Sequence, residues 1–87
     1  MNFSKETARA NKVWFDSDNL WILFVDGRQL SVPKSFFPSF SNATEEQLSQ
    51  YELSGGGIGI HWDSLDEDLY VPNLLINTNM QLENKYA

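Results

Sequence analysis

Leu20-Trp21-Ile22-Leu23-Phe24-Val25-Asp26-Gly27-Arg28-Gln29-Leu30-Ser31-Val32-Pro33 is the stretch on which the fold turns. Six apolar residues rich in β-formers run up to Val25, and Asp26-Gly27 tolerates the positive φ angles of a two-residue type I′ loop. Arg28 to Pro33 supplies the returning strand. With Asp26 and Gly27 as the loop, Val25 faces Arg28, Leu23 faces Leu30 and Trp21 faces Val32. One face of the hairpin then carries Trp21, Leu23, Leu30 and Val32.

Upstream, Val13 to Asp16 reads as another strand, joined to the hairpin through Ser17-Asp18-Asn19. With Asp18-Asn19 as its loop, Trp14 joins the first face opposite Leu23. Val13 and Phe15 then line up beside Phe24 and Ile22, respectively, on the reverse side. Both faces of the sheet come out partly apolar. The face carrying Val13, Phe15, Leu20, Ile22 and Phe24 is therefore expected to stay partly open for a protein partner or a second copy of the chain, a homodimer being one such assembly.

Downstream, two prolines and three phenylalanines in residues 33–40 forbid a long helix. They suit an irregular segment whose Phe36, Phe37 and Phe40 cap the sheet. Thr44-Glu45-Glu46-Gln47 is a capping box that opens a short helix to Gln50 with Leu48 turned inward. Tyr51 to Ser54 and Ile58 to Trp62 read as strands about the Gly55-Gly56-Gly57 turn, and Leu69 to Val71 is strand-like. Pro72 suits the first turn of a last short helix with Leu74, Leu75 and Ile76. The expected architecture is α+β: a small antiparallel β-meander with two short helices in one domain, residues 1–87. Residues 1–11 form a leading segment and 12–77 the core.

Composition narrows the function. Eighty-seven residues support one core, and the apolar share of 41% is enough to build it. Twelve acids against six bases give a net charge of −6, a field that repels phosphate backbones and anionic lipid heads, so direct nucleic-acid and membrane binding are not expected. Lys5, Arg9 and Lys12 make only a small basic patch, read as solvated surface. The absence of cysteine removes disulfides, thiol catalysis and Cys-based zinc sites, and fits a cytoplasmic protein. The longest apolar run, Leu20 to Val25, is far below the ~18 residues of a spanning helix.

The densest polar cluster is His61-Trp62-Asp63-Ser64-Leu65-Asp66-Glu67-Asp68, with the only histidine and four carboxylates. Converging carboxylates are what a hard cation needs, yet this spacing fits neither a calcium-binding loop nor a paired-histidine motif. In an extended chain Asp66 and Asp68 share one face while Glu67 and Leu69 share the other; alternatively the acids cap a turn. His61 has the chemistry of a base near neutral pH, but no nucleophile motif accompanies it, since neither Ser54 nor Ser64 sits in a nucleophile elbow. Gly55-Gly56-Gly57-Ile58-Gly59 lacks the Lys-Ser or Lys-Thr of a phosphate loop. His61, Trp62, Asp63, Asp66, Glu67 and Asp68 are therefore read as a binding edge, with no catalytic residue, metal or cofactor assigned. A weak metal or enzymatic site at His61, Asp66 and Asp68 is the rival reading.

The order Asp26-Gly27 hairpin, Val32-Pro33 exit, Phe37-Pro38, Ala43-Thr44-Glu45-Glu46 helix start, Gly57-Ile58-Gly59-Ile60-His61-Trp62 and Leu65-Asp66-Glu67-Asp68-Leu69 resembles the bacterial domain of unknown function 2442 family over about residues 13–75. The resemblance implies a small α+β fold with an antiparallel sheet and no established activity. It also implies a partner of toxin–antitoxin type, because members are sometimes encoded beside another small protein. Asp63 stands where a proline commonly follows the tryptophan in that family, and the triple glycine is a further departure. The expected function is a non-catalytic protein-interaction module, with a toxin–antitoxin-like component as the alternative.

Overall fold

The computed structural model describes residues 8–75; expectations for residues 1–7, and for Ile76 and Asn77, lie outside them. Six strands form two three-stranded antiparallel meanders instead of one sheet. The first contains β1 (Ala10–Phe15), β2 (Asn19–Phe24) and β3 (Gln29–Pro33), and the second β4 (Glu52–Ser54), β5 (Gly59–Trp62) and β6 (Glu67–Tyr70). Between the sheets lie a 3-10 turn at Lys34–Phe36 and two short helices, α1 (Pro38–Ser41) and α2 (Glu45–Ser49). A second 3-10 turn, Asp63–Leu65, links β5 to β6, and residues 71–75 form α3 with Pro72 in its first turn. The chain is α+β as read from the sequence. No helix among the described residues is long and apolar enough to cross a membrane.

The hairpin register differs by one residue from the expected one. Ile22 pairs with Leu30, Leu20 with Val32 and Trp21 with Ser31. The loop has three residues: Gly27 N–H donates to Phe24 O at 2.9 Å, Phe24 N–H to Arg28 O at 2.8 Å, and Gly27 alone takes a positive φ, 94°. Asp26 keeps a negative φ, so the type I′ loop is not formed. Its side chain instead accepts the Arg28 N–H at 3.1 Å, supporting a type I turn closed by a glycine bulge.

A one-residue slip exchanges the faces of a strand. Leu20, Ile22, Phe24, Leu30 and Val32 share the buried face, while Gln29 and Ser31 join Trp21 and Leu23 outside. This register sorts the polar residues of β3 to one side. The expected register would have mixed them with Leu20, Ile22 and Phe24. The β1–β2 loop is Ser17-Asp18, two positions from the expected pairing, which preserves facing: Val13 opposes Ile22 and Phe15 opposes Leu20. Val13, Leu20, Ile22 and Phe24 are thus buried in the chain's own core, and Phe15 packs against it. That corrects the expectation of an open docking face there.

Organisation also begins earlier than the expected leading segment allows. Ala8 is fully buried, β1 starts at Ala10, and Arg9 O accepts the Val25 N–H at 2.9 Å. The two sheets are stitched together where Ala10 N–H donates to Gly57 O at 2.7 Å. A Cβ on Gly57 would sit 2.2 Å from Ala10 O, so this approach requires glycine.

Phe40 and Trp62, both fully buried, occupy the centre of the core. Their rings meet edge to face at 4.9 Å, and Phe15 approaches them at 5.2 and 6.0 Å. Phe37 joins as expected, at 5.4 Å from Phe40, but Phe36 is exposed, because its place in the 3-10 turn directs it outward. The Thr44 capping box forms in full: Gln47 N–H donates to Thr44 Oγ1 and Thr44 N–H to Gln47 Oε1, each at 3.0 Å. It delivers Leu48 to the core.

Candidate binding surface

Alternation along β5 buries Ile60 and Trp62 and sends His61 to the opposite face of the second sheet. Pairing sets Glu52 beside His61 and His61 beside Asp68, while Ser54, Gly59 and Tyr70 form the next row. The outer face therefore carries Glu52, His61, Asp68 and Tyr70, the last half exposed. His61 Nδ1 lies 2.6 Å from Asp68 Oδ1, and Nε2 lies 3.5 Å from Asp63 Oδ1 on the following turn. The Asp68 hydrogen bond, with a weaker one from Asp63 and the charges of both, raises the His61 pKa above its usual value against a smaller opposing effect of desolvation.

The six residues of the expected binding edge do not share one surface. His61, Asp63 and Asp68 come together. Trp62 is fully buried, donating its indole N–H to Leu48 O at 3.0 Å, which removes it from the edge. Its position follows from strand alternation, since its neighbour His61 faces out. Glu67 turns to the same side as Trp62 and accepts a hydrogen bond from Ser39 Oγ. Asp66 caps the 3-10 turn in the left-handed conformation at φ 51°. The acids thus follow the turn reading up to Asp66 and the strand reading beyond it.

Among the described residues, no three His, Asp or Glu side chains group as a metal ion needs. Nor does a hydroxyl reach His61 as a nucleophile would; its ring nitrogens meet carboxylates only. Glu52 and Tyr70 were absent from the sequence-derived site. The signal for both was present: once the glycine turn fixes β4 against β5, residues two apart from His61 and directly across from it share its face.

Charge is strongly divided along the chain. Residues 45–75 contain seven acids and no Lys or Arg, whereas residues 8–44 contain three acids and four bases. The second sheet and its flanking turns therefore come wholly from the acidic part of the chain, although Arg9 of the other part reaches the β4–β5 turn, where its guanidinium donates to Gly55 O at 3.5 Å. On the first sheet, the outer face is aromatic and bears a base: Trp14 and Trp21 stack at 6.0 Å, 5° from parallel, and Lys12 Nζ lies 5.9 Å from the Trp14 ring centre. The Trp21 indole N–H is held by Asp16 Oδ2 at 2.7 Å.

The family described as protein of unknown function (DUF2442) matches residues 10–77. A crystal structure of a protein of unknown function from Rhodospirillum rubrum is similar, with a TM-score of 0.68 and 31% identity over 79% of this chain and 86% of that one. The solution structure of an uncharacterised protein from Chromobacterium violaceum gives the same TM-score at 26% identity, over 82% of this chain and 67% of that one. No curated protein matches the chain.

Proposed function

The chain belongs to the DUF2442 family of proteins of unknown function, and from that premise we propose that it is a non-catalytic protein-interaction module whose second sheet binds a basic segment of a partner protein. The observation that carries this reading is the charge division: seven acids without a single Lys or Arg across residues 45–75, three of which, Glu52, Asp63 and Asp68, lie on the face that carries His61 and the half-exposed Tyr70. Glu52, Asp63 and Asp68 supply carboxylates, and the Tyr70 ring offers a face to an arginine guanidinium. Such a surface steers a cationic partner and repels an anionic one. An antitoxin-like role is one biological setting for the same contact.

An arginine-rich nonapeptide titrated by fluorescence anisotropy tests the reading. Binding should weaken about tenfold in Tyr70→Ser and in the triple variant Glu52→Gln, Asp63→Asn, Asp68→Asn. Neutralising Glu45 and Glu46 on α2 should leave it within about twofold. Equal losses from both sets of acids would reduce the effect to bulk charge and overturn the proposal.

A further inference from the structure

A groove of about 510 Å³ runs beside the edge of β1 and shares no lining residue with the face just described. One wall is β1 and the turn after it, from Val13 to Ser17; the other is α2, through Glu45, Leu48 and Ser49, with Tyr51. Lys34 also lines it.

Hydrogen-bond phase determines what β1 presents there. Asp16 N–H donates to Asn19 O at 3.0 Å, so Asp16, Trp14 and Lys12 are the residues that exchange bonds with β2. Val13 and Phe15 lie between them, and their main-chain groups point away from β2, toward the groove. Val13 N–H is already taken, donating to the Tyr51 hydroxyl at 3.1 Å, as it would to the carbonyl of a further strand. Phe15 N–H has no acceptor among the described residues, and the carbonyls of Val13 and Phe15 have no donor there. An unpaired strand edge inside a concavity is a template for one more strand.

We propose that this groove is a strand-addition site for an extended, uncharged segment of a partner protein, about four residues of which would span the edge from Val13 to Ser17. Pairing of β1 with β1 of a second copy is obstructed, because α2 and Tyr51 flank the edge in each copy. Lys34 and Glu45 contribute one charge of each sign to the groove walls; Asp16 adds a second carboxylate, whose oxygens already accept hydrogen bonds from Trp21, Asp18 and Asn19. The occupant is therefore read through its main chain, with an apolar side chain directed at Leu48.

The test uses the full chain and a capped Thr-Val-Thr-Val-Thr pentapeptide, with the same peptide N-methylated on its central amides as control. Amide exchange at Phe15, followed by NMR, should slow at least tenfold with the first peptide and remain unchanged with the second. Ser49→Arg, an exposed position whose longer side chain fills the groove, should abolish the protection while leaving the spectrum of the second sheet intact. Unaltered exchange at Phe15, equal protection by the N-methylated peptide, or protection arising from dimerisation detected by sedimentation would each overturn the proposal.

Discussion

Trp62 and Leu48 are joined by a buried hydrogen bond, indole N–H to main-chain carbonyl, at 3.0 Å. Leu48 lies on α2 and Trp62 at the end of β5, so the bond ties the helix to the second sheet inside the aromatic cluster. Replacing Trp62 with Phe keeps a ring against Phe40 but strands the Leu48 carbonyl and opens a void. A loss of about 2–4 kcal/mol is expected in urea unfolding. Trp21→Phe also removes an indole N–H, from a bond with Asp16 on the exposed face, and should cost markedly less.

Gly27 and Gly57 both have positive φ, 94° and 103°, but their surroundings differ. A methyl group at Gly27 meets nothing within 4 Å, so Gly27→Ala carries only the backbone penalty, about 1–2 kcal/mol. At Gly57 the same methyl collides with the Ala10 main chain, which cannot withdraw without breaking its bond to Gly57 O. Gly57→Ala is expected to cost at least about 3 kcal/mol. It should also accelerate amide exchange at Ala10, which Gly27→Ala should not.

Much of this arrangement is legible in the sequence wherever local chemistry decides it. Thr44 and Gln47 specify the capping box, and the glycines at 55–57 mark the tight connection. The Asp26-Gly27 pair identifies the hairpin but not its register, because Asp-Gly suits either a two-residue loop or the last two positions of a three-residue loop. What settles the register is the alternation of Gln29, Leu30, Ser31 and Val32, whose polar members belong on the outer face. For the same reason Val13, Leu20, Ile22 and Phe24 lie inside. His61, Asp63 and Asp68 were recognisable as a cluster, but their meeting depends on the 3-10 turn and the left-handed Asp66, a tertiary outcome that composition does not encode. The separation of Trp62 from its neighbour His61 required only that the strand's period of two be applied.

The Thr44 cap provides a third measurement. Thr44→Ala removes the acceptor for Gln47 N–H and should destabilise the protein by about 1 kcal/mol, whereas Thr44→Ser retains the hydroxyl and should lie close to the parent. Because α2 forms one wall of the groove beside β1, fraying of its first turn in Thr44→Ala should also weaken the pentapeptide's protection of Phe15.

His61 makes stability depend on pH in a direction set by its two carboxylates. Asp68 chiefly, and Asp63 after it, favour the protonated ring in the folded protein and raise its pKa above the ordinary value of 6.5; Glu52 faces it from β4. A group with a raised folded pKa adds stability that is fully present below its unfolded value and fades as pH climbs through the folded one. The window therefore opens near 6.5 and extends upward. The urea midpoint of the parent should fall between about pH 6 and about pH 8, and His61→Gln should flatten that slope. Asp68→Asn should bring the ring's NMR titration midpoint down toward the ordinary histidine value. An unchanged midpoint would mean that the 2.6 Å contact does not hold the proton. Deprotonation of His61 also leaves Asp63 and Asp68 without their internal cation, so the arginine-rich peptide should bind more tightly at the upper end of this window than at the lower.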